Sequence, residues 1–486
     1  MNRRIRSGRW CLLSTLALGI SAVPALADDK LSPEKETALH AVAAIDKEIA
    51  DMARTLWEHS EIALREERSA AYLAGVLERE GFAVERGVAG MPTAFVAEWG
   101  EGRPIVGVLA EFDALPGIGN DPVPRRQKRS DGHPHGHGCG HNLFGAGSVG
   151  AAIALERTMK HHELAGTVRL YGTPAEETVV GKVYMAKAGL FDDLDATLDW
   201  HPSQKTQVRN QTGQALNNFT VEFTGQAAHG AFDPWNGRSA LDAVEVMNHA
   251  VNMMREHIEP TARIHYVIPS AGEAPNVVPE YARVWYYVRD VDREKVERSY
   301  AWILDIAKGA ALATRTEHEV TLTTGVHEML LNRPLQEAAQ RNLEIVGAPA
   351  FSDEDQAFAG EIQAFLELEP KGLSTRIEPL ADEPEPTQGG STDVAEVSWI
   401  TPTVSFRVAS AAEDIPWHSW ATSASHGIPG AARSAQVAAR VLALTGVDML
   451  TDPELLKEAR AFFLEKTGGE PYESPIPKDQ EPPLPE

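Results

Sequence analysis

Three short apolar runs constrain this chain more than any other feature, because each ends in a residue able to hold a metal or move a proton. Ile105–Ala110 runs out into Glu111-Phe112-Asp113, Thr167–Gly172 into Thr173-Pro174-Ala175-Glu176-Glu177, and Ala196–Trp200 into His201-Pro202. Consecutive apolar positions over this length suit strands buried on both faces. Leu143–Met159, rich in small residues, reads as a helix between the first two. Strands alternating with helices predict an α/β fold, a mostly parallel mixed sheet flanked by helices. Ligands of such sheets sit at the carboxyl ends of the strands, which is where these polar residues fall.

Between the first two strands, His133, His135, His137, Cys139 and His141 lie within nine residues, separated mostly by glycine. Imidazole and thiolate hold borderline transition metals, and glycine lets neighbouring groups crowd around a small object. Each element also has a plain reading. The His/Cys stretch could be a solvated loop, Glu176-Glu177 a solvated pair, His201 a hydrogen-bonded core histidine and Asp113 a helix cap. All of these would have to hold together, at the ends of three successive strands.

The first 27 residues read as a cleaved signal peptide. Arg3, Arg4, Arg6 and Arg9 precede an apolar run, Cys11 to Val23, and Ala25-Leu26-Ala27 suits cleavage. A secreted or periplasmic location is expected. Removing this segment takes the net charge from -25 to -29, which argues against nucleic acid or an anionic membrane as partner. It also leaves Cys139 as the single cysteine of the mature chain. In an oxidising compartment such a thiol is either inert in a core or protected by chemistry such as metal coordination.

About 459 mature residues predict more than one domain. Catalytic-domain residues 28–212 are followed by a unit with a different grammar over 213–327. Its segments, Ala215–Phe223, Ser239–His257, Ala262–Ile268, Ala282–Val288, Arg293–Ala313 and Glu319–Thr324, give the order β-α-β-β-α-β of a ferredoxin-like split unit. The first domain resumes over 328–468, with a strand at Thr403–Arg407 and a helix at Pro429–Leu444. Residues 469–486, rich in Pro and Glu, are expected to be a disordered tail. Residues 33–60 read as one helix.

These motifs together resemble the dinuclear metallopeptidase family of aminoacylases, carboxypeptidases and dipeptidases (peptidase family M20). Within it they resemble the amidohydrolase branch, and most closely the aminobenzoyl-glutamate hydrolase B-subunit group. The likeness spans nearly all of 35–445. It rests on Ala110–Pro116, His137-Gly138-Cys139-Gly140-His141-Asn142, Pro174–Glu177, Asp199-Trp200-His201, Ala228-His229-Gly230-Ala231, Asn276-Val277-Val278-Pro279 and Gly390–Val394. It implies a zinc-exopeptidase-like domain carrying an inserted dimerisation or lid domain. It further implies two divalent ions per subunit (zinc or manganese, with cobalt an option), held by Cys139, His141, Glu177, His201 and His418. His426 is the rival for the last position. Glu176 would be the general base and Asp113 would orient a ligand. His229 would serve the site of a second subunit in a homodimer. Asn276 and Arg289 would hold the free carboxylate of a small amide or dipeptide substrate, although Arg289 could equally form a strand-end salt bridge. The family's His-x-Asp stands here as Glu111-x-Asp113, and the basic insertion Pro122–Gly132 has no explanation in the sequence. The implied reaction is hydrolysis of an amide joining an acyl or aroyl group to an amino acid, with a dipeptidase or carboxypeptidase on the same scaffold as an alternative. A thiol hydrolase built on Cys139, a periplasmic metal-binding protein and a catalytically dead family member used as a binding module are the competing classes.

Overall fold

The computed structural model describes residues 31–387 and 389–485. The expected signal peptide, 1–27, lies outside the described residues. Strands are β1 (Ala83–Arg86), β2 (Phe95–Glu101), β3 (Ile105–Glu111), β4 (Gly166–Thr173), β5 (Ala196–Ser203), β6 (Gln207–Val208), β7 (Ala215–Thr224), β8 (Arg263–Ser270), β9 (Tyr281–Asp290), β10 (Glu317–Val326) and β11 (Thr403–Ala409).

Seven strands form the main sheet in the order β1-β2-β4-β3-β5-β11-β6. Its centre, β4-β3-β5-β11, is parallel, and antiparallel pairs flank it on both sides. The three apolar runs are thus adjacent central strands, and their polar carboxyl ends lie side by side. The helix His141–His162 packs beneath them, buried along nearly all its length. Its small residues permit that closeness: a Cβ at Gly147 would meet the Ala435 carbonyl oxygen at 3.0 Å, and one at Gly150 would meet Ile49 at 2.6 Å. No described helix is long and apolar enough to cross a membrane.

The second sheet has four antiparallel strands in the order β10-β7-β9-β8. Helices Ala240–Met254 and Arg293–Thr314 bury Val244, Met247, Val251, Ile303 and Ala307 against it in a separate core. Strand order and connectivity are those of the ferredoxin-like split unit expected from the sequence.

Two expectations need correction. The single helix over 33–60 is two, Pro33–Ala44 and Asp46–His59, parted at Ile45, whose φ and ψ are -116° and 13°. The break lets both halves bear on the helix 141–162. The tail 469–486 was expected to be disordered, yet 469–485 are held in place. The Tyr472 hydroxyl donates to Glu396 Oε2 at 2.5 Å, Ile476 is buried, and Gln480 Nε2 donates to Tyr184 Oη at 2.8 Å and to the Leu322 carbonyl at 2.6 Å. Proline keeps the segment extended, and side chains along it find partners in both sheets' neighbourhoods.

Burial would raise the pKa of Glu396, but the His327 imidazole at 2.9 Å and the Tyr472 hydroxyl hold it below the ordinary carboxylate value. A carboxyl depressed in this way contributes stability at neutral pH and loses it as the pH falls through its lowered value. Tyr472→Phe should therefore cost about 1.5–3 kcal/mol at pH 7. In urea titrations the deficit should shrink as acid neutralises Glu396.

Candidate metal and catalytic site

The carboxyl ends of β3, β4 and β5 deliver Glu111 and Asp113, Glu176 and Glu177, and His201. The glycine-rich loop before helix 141–162 delivers Cys139 and His141. That loop has no room for side chains at two of its glycines. A Cβ on Gly138 would lie 2.4 Å from Ile118 and 3.2 Å from the His418 Cα, and Gly140, at φ +87°, would meet Pro202 at 2.8 Å. The tight approach brings the late segment carrying His418, itself at φ 54°, onto Cys139.

Two donor triads share one atom. Cys139, His141 and His201 present ligand atoms within 4.8 Å of one another, and so do Cys139, Glu177 and His418. The Cys139 sulfur is 3.4 Å from His201 Nε2 and 3.4 Å from His418 Nε2, which in turn is 3.5 Å from Glu177 Oε2. A third triad, Glu111, His141 and Glu176, adjoins them. Thus Cys139, His141, Glu177, His201 and His418, the residues the family resemblance implies as ligands, lie together beside Glu176.

Hydrogen bonds fix which imidazole nitrogen faces inward. His141 Nδ1 donates to Asp113 Oδ1 at 2.8 Å, and His201 Nδ1 donates to the Pro202 carbonyl at 2.6 Å. Each ring therefore turns its Nε2 toward the cluster. Asp113 also accepts from the Glu177 backbone N–H at 2.9 Å, so it orients two donors at once. His426 is differently engaged. Its Nδ1 bonds the His137 carbonyl at 2.8 Å and its Nε2 the Ser410 hydroxyl at 3.1 Å, which leaves it no free nitrogen. His137 is a core histidine bonded to the Leu56 carbonyl at 3.0 Å, and His133 and His135 pair with each other away from the cluster.

The donor set fits divalent cations. Glu111, Asp113, Glu176 and Asp393 are buried together, and among the described residues Lys182 is the only lysine or arginine in salt-bridge contact with them. Burial, reinforced by neighbouring acids, pushes Glu176 well above the usual carboxylate range and Glu177 up to about 8. Burial pushes the Cys139 thiol up to about 12. Glu177 Oε1 has no hydrogen-bond partner, and His141 Nε2 makes none despite Glu111 Oε2 at 3.1 Å. Protein groups alone leave this acid-rich volume short of positive charge, and cations bound by thiolate, imidazole and carboxylate supply it.

Sequence reasoning missed Lys182 and Glu66. The Lys182 ammonium joins Glu111 Oε1 at 2.7 Å to Asp393 Oδ1 at 2.5 Å, which explains the acid standing in Glu111-x-Asp113. A lysine inside the apolar stretch Val179–Met185 was the available signal. Glu66 caps the turn before Glu176 by accepting from the Ala175 N–H at 2.9 Å. The unexplained basic insertion also acquires a role. Arg129 lies over the Trp57 ring and donates to the Trp57 carbonyl at 2.8 Å and the Glu58 carbonyl at 3.1 Å, closing the end of helix Asp46–His59.

The inserted unit supplies the remaining predicted residues. His229 and Asn276 are exposed neighbours, joined by the Gly230 N–H to the Asn276 carbonyl at 2.8 Å. Within one chain, no described contact links them to the cluster. Arg289 is half-buried over Tyr287 and faces the loop at Gly390, forming no salt bridge with Asp290 or any other described acid. It keeps a buried Nε without a partner.

The main sheet is thus parallel at its centre and carries two donor triads and an acid at the carboxyl ends of its strands. A profile of Peptidase family M20/M25/M40 matches residues 107–411. The B-subunit of p-aminobenzoyl-glutamate hydrolase from Escherichia coli (strain K12) is 36% identical over 467 residues, spanning 91% of this chain and 97% of the relative. A human Xaa-Arg dipeptidase is 30% identical, spanning 85% and 88%. Among solved structures, an aminobenzoyl-glutamate utilization protein from Klebsiella pneumoniae superposes with a TM-score of 0.57 at 17% identity, covering 83% of this chain and 97% of that one. A dinuclear metal-binding peptidase of family M20 from Bacillus subtilis superposes at 0.52 and 20%, covering 82% and 99%. The chain belongs to peptidase family M20 and is a hydrolase acting on amide bonds.

Lys182→Met should leave Glu111 and Asp393 buried without their counter-charge. Breaking such a pair costs about 3–5 kcal/mol, which a lowered denaturant midpoint would register.

Proposed function

We propose that this protein is an exported, dinuclear metal-dependent amidohydrolase that separates an acyl or aroyl group from an amino acid, working as a homodimer. The two donor triads sharing Cys139, with Glu176 at their edge, carry this reading. Cys139, His141 and His201 would hold one ion, and Cys139, Glu177 and His418 the other. When bound, such ions lower the pKa of water toward neutrality and polarise a carbonyl.

Glu176 takes the proton of the attacking water as its oxygen bonds to the amide carbon. It then delivers that proton to the departing nitrogen as the C–N bond breaks, giving a carboxylic acid and a free amine, between which the remaining proton re-equilibrates through solvent. His229 Nδ1 accepts the Ala231 and Phe232 N–H groups at 3.1 and 3.0 Å, so its proton sits on Nε2. Exposed on the inserted unit, it would donate to the developing oxyanion of a partner subunit's site. Arg289 takes the free carboxylate of the amino acid, a task suited to a guanidinium fork, and Asn276 would join it, like His229, from the second subunit. The E. coli relative's name supports an aminobenzoyl-glutamate-like or N-acyl amino acid substrate.

Chelation should abolish turnover of N-acyl amino acids, and zinc or manganese should restore it. An enzyme indifferent to chelator but killed by thiol alkylation would instead be a Cys139 hydrolase. Glu176→Ala should lose about 10²–10⁴-fold in kcat with metal content unchanged by elemental analysis, whereas loss of metal would make Glu176 a ligand. Mixing Glu176→Ala with His229→Ala protein should regenerate activity through hybrid dimers that hold one intact site, and no recovery would place His229 outside the chemistry.

A further inference from the structure

Beside the site lie arginines that the mechanism does not use. On one face of the main sheet, cross-strand neighbours form two rungs. Asp199 of β5 pairs with Ser405 of β11, and the Ser405 carbonyl accepts the Arg209 N–H at 3.0 Å just past β6. His201 pairs with Arg407, which pairs with Gln207. Side chains two apart on a strand share a face, so Arg407 stands next to His201, and Arg209 stands diagonally beyond it on the same side. Both guanidinium charges bear on the His201 imidazole.

Neither arginine forms a salt bridge with a described acid. Arg209 spends one donor, Nε, on the Gln211 carbonyl at 2.9 Å, and no described group accepts a hydrogen bond from the Arg407 side chain. The charges of Asp199, Glu176 and Glu111 reach Arg209 and that of Glu385 reaches Arg407, yet none closes to salt-bridge distance. A guanidinium fork with no direct carboxylate partner can take an incoming one. Burial holds Arg209 down to about 10.

Their position says which part of a substrate they would meet. The Arg209 fork packs on Gly213, where a Cβ would lie 2.9 Å from Nη2 and 3.2 Å from the Gly390 carbonyl oxygen. On Gly390 itself, a Cβ would face Arg289 Nη1 at 3.9 Å. Arg209 and Arg289 therefore flank one glycine loop, with Arg407 between that loop and His201. Resting on the amidohydrolase reading, in which Arg289 takes the free α-carboxylate, we propose that Arg209 and Arg407 form a second anion subsite. It receives a side-chain carboxylate and so selects a dicarboxylic amino acid as the leaving group.

The test compares N-benzoyl-glutamate with its neutral isostere N-benzoyl-glutamine, using metal-loaded wild-type enzyme and the variants Arg209→Gln and Arg407→Gln. Wild type should favour the glutamate substrate by at least about tenfold in kcat/KM, because a carboxylate site leaves its charges unpaired against the amide. The variants should narrow that preference to within about threefold, chiefly through KM for the glutamate substrate. Equal use of both substrates by wild type, or a preference intact in both variants, overturns the proposal. Glutarate and butyrate binding, measured by calorimetry on zinc-loaded wild type, needs neither a variant nor turnover. Tighter binding of glutarate supports the subsite, and equal binding overturns it. If no amide is hydrolysed while glutarate is still preferred, the amidohydrolase reading fails and the dicarboxylate site stands.

Discussion

Too many acids share one buried volume, and much of the surrounding architecture answers to that fact. Three parallel strands end side by side, and two of them discharge Glu111, Asp113, Glu176 and Glu177 into the same space. Like charges so close cannot all ionise in a poorly solvated interior. The fold responds with Lys182 bridging Glu111 to Asp393, with imidazoles whose outer nitrogens are tied to Asp113 and a carbonyl, and with a donor set suited to divalent cations. Cys139 belongs to the same balance, since its thiol is far from ionising without a cation beside it.

Much of this was legible in the sequence, for identifiable reasons. An apolar strand ending in a polar residue has few places to go in a parallel sheet, so Glu176, Glu177 and His201 could be placed before any coordinates. Glycine spacing announced the close approach around Cys139. The inserted unit was recognisable from element order alone, and its strand order followed.

What escaped depended on partners distant along the chain. Lys182 looks like any helix residue until Glu111 and Asp393 are seen beside it, the latter 211 positions away. His418 could be preferred to its rival His426 from the Trp417-His418-Ser419 context, but only the His137 carbonyl and the Ser410 hydroxyl reveal that His426 is already occupied. Arg209 and Arg407 stand on opposite sides of the inserted unit in sequence, so no local pattern joins them. Composition misjudged the tail because Tyr472 and Gln480 are single anchors in a disorder-like stretch, with partners 76 and 296 residues away.

Gln480 donates at once to Tyr184, beside the main sheet, and to carbonyls of β10 in the inserted unit. The last stretch of chain thereby acts as a guy-rope between the two bodies. Swinging one relative to the other would first have to lift this rope, which makes the carboxyl terminus a poor place for an affinity handle and a natural point from which hinge stiffness could be tuned.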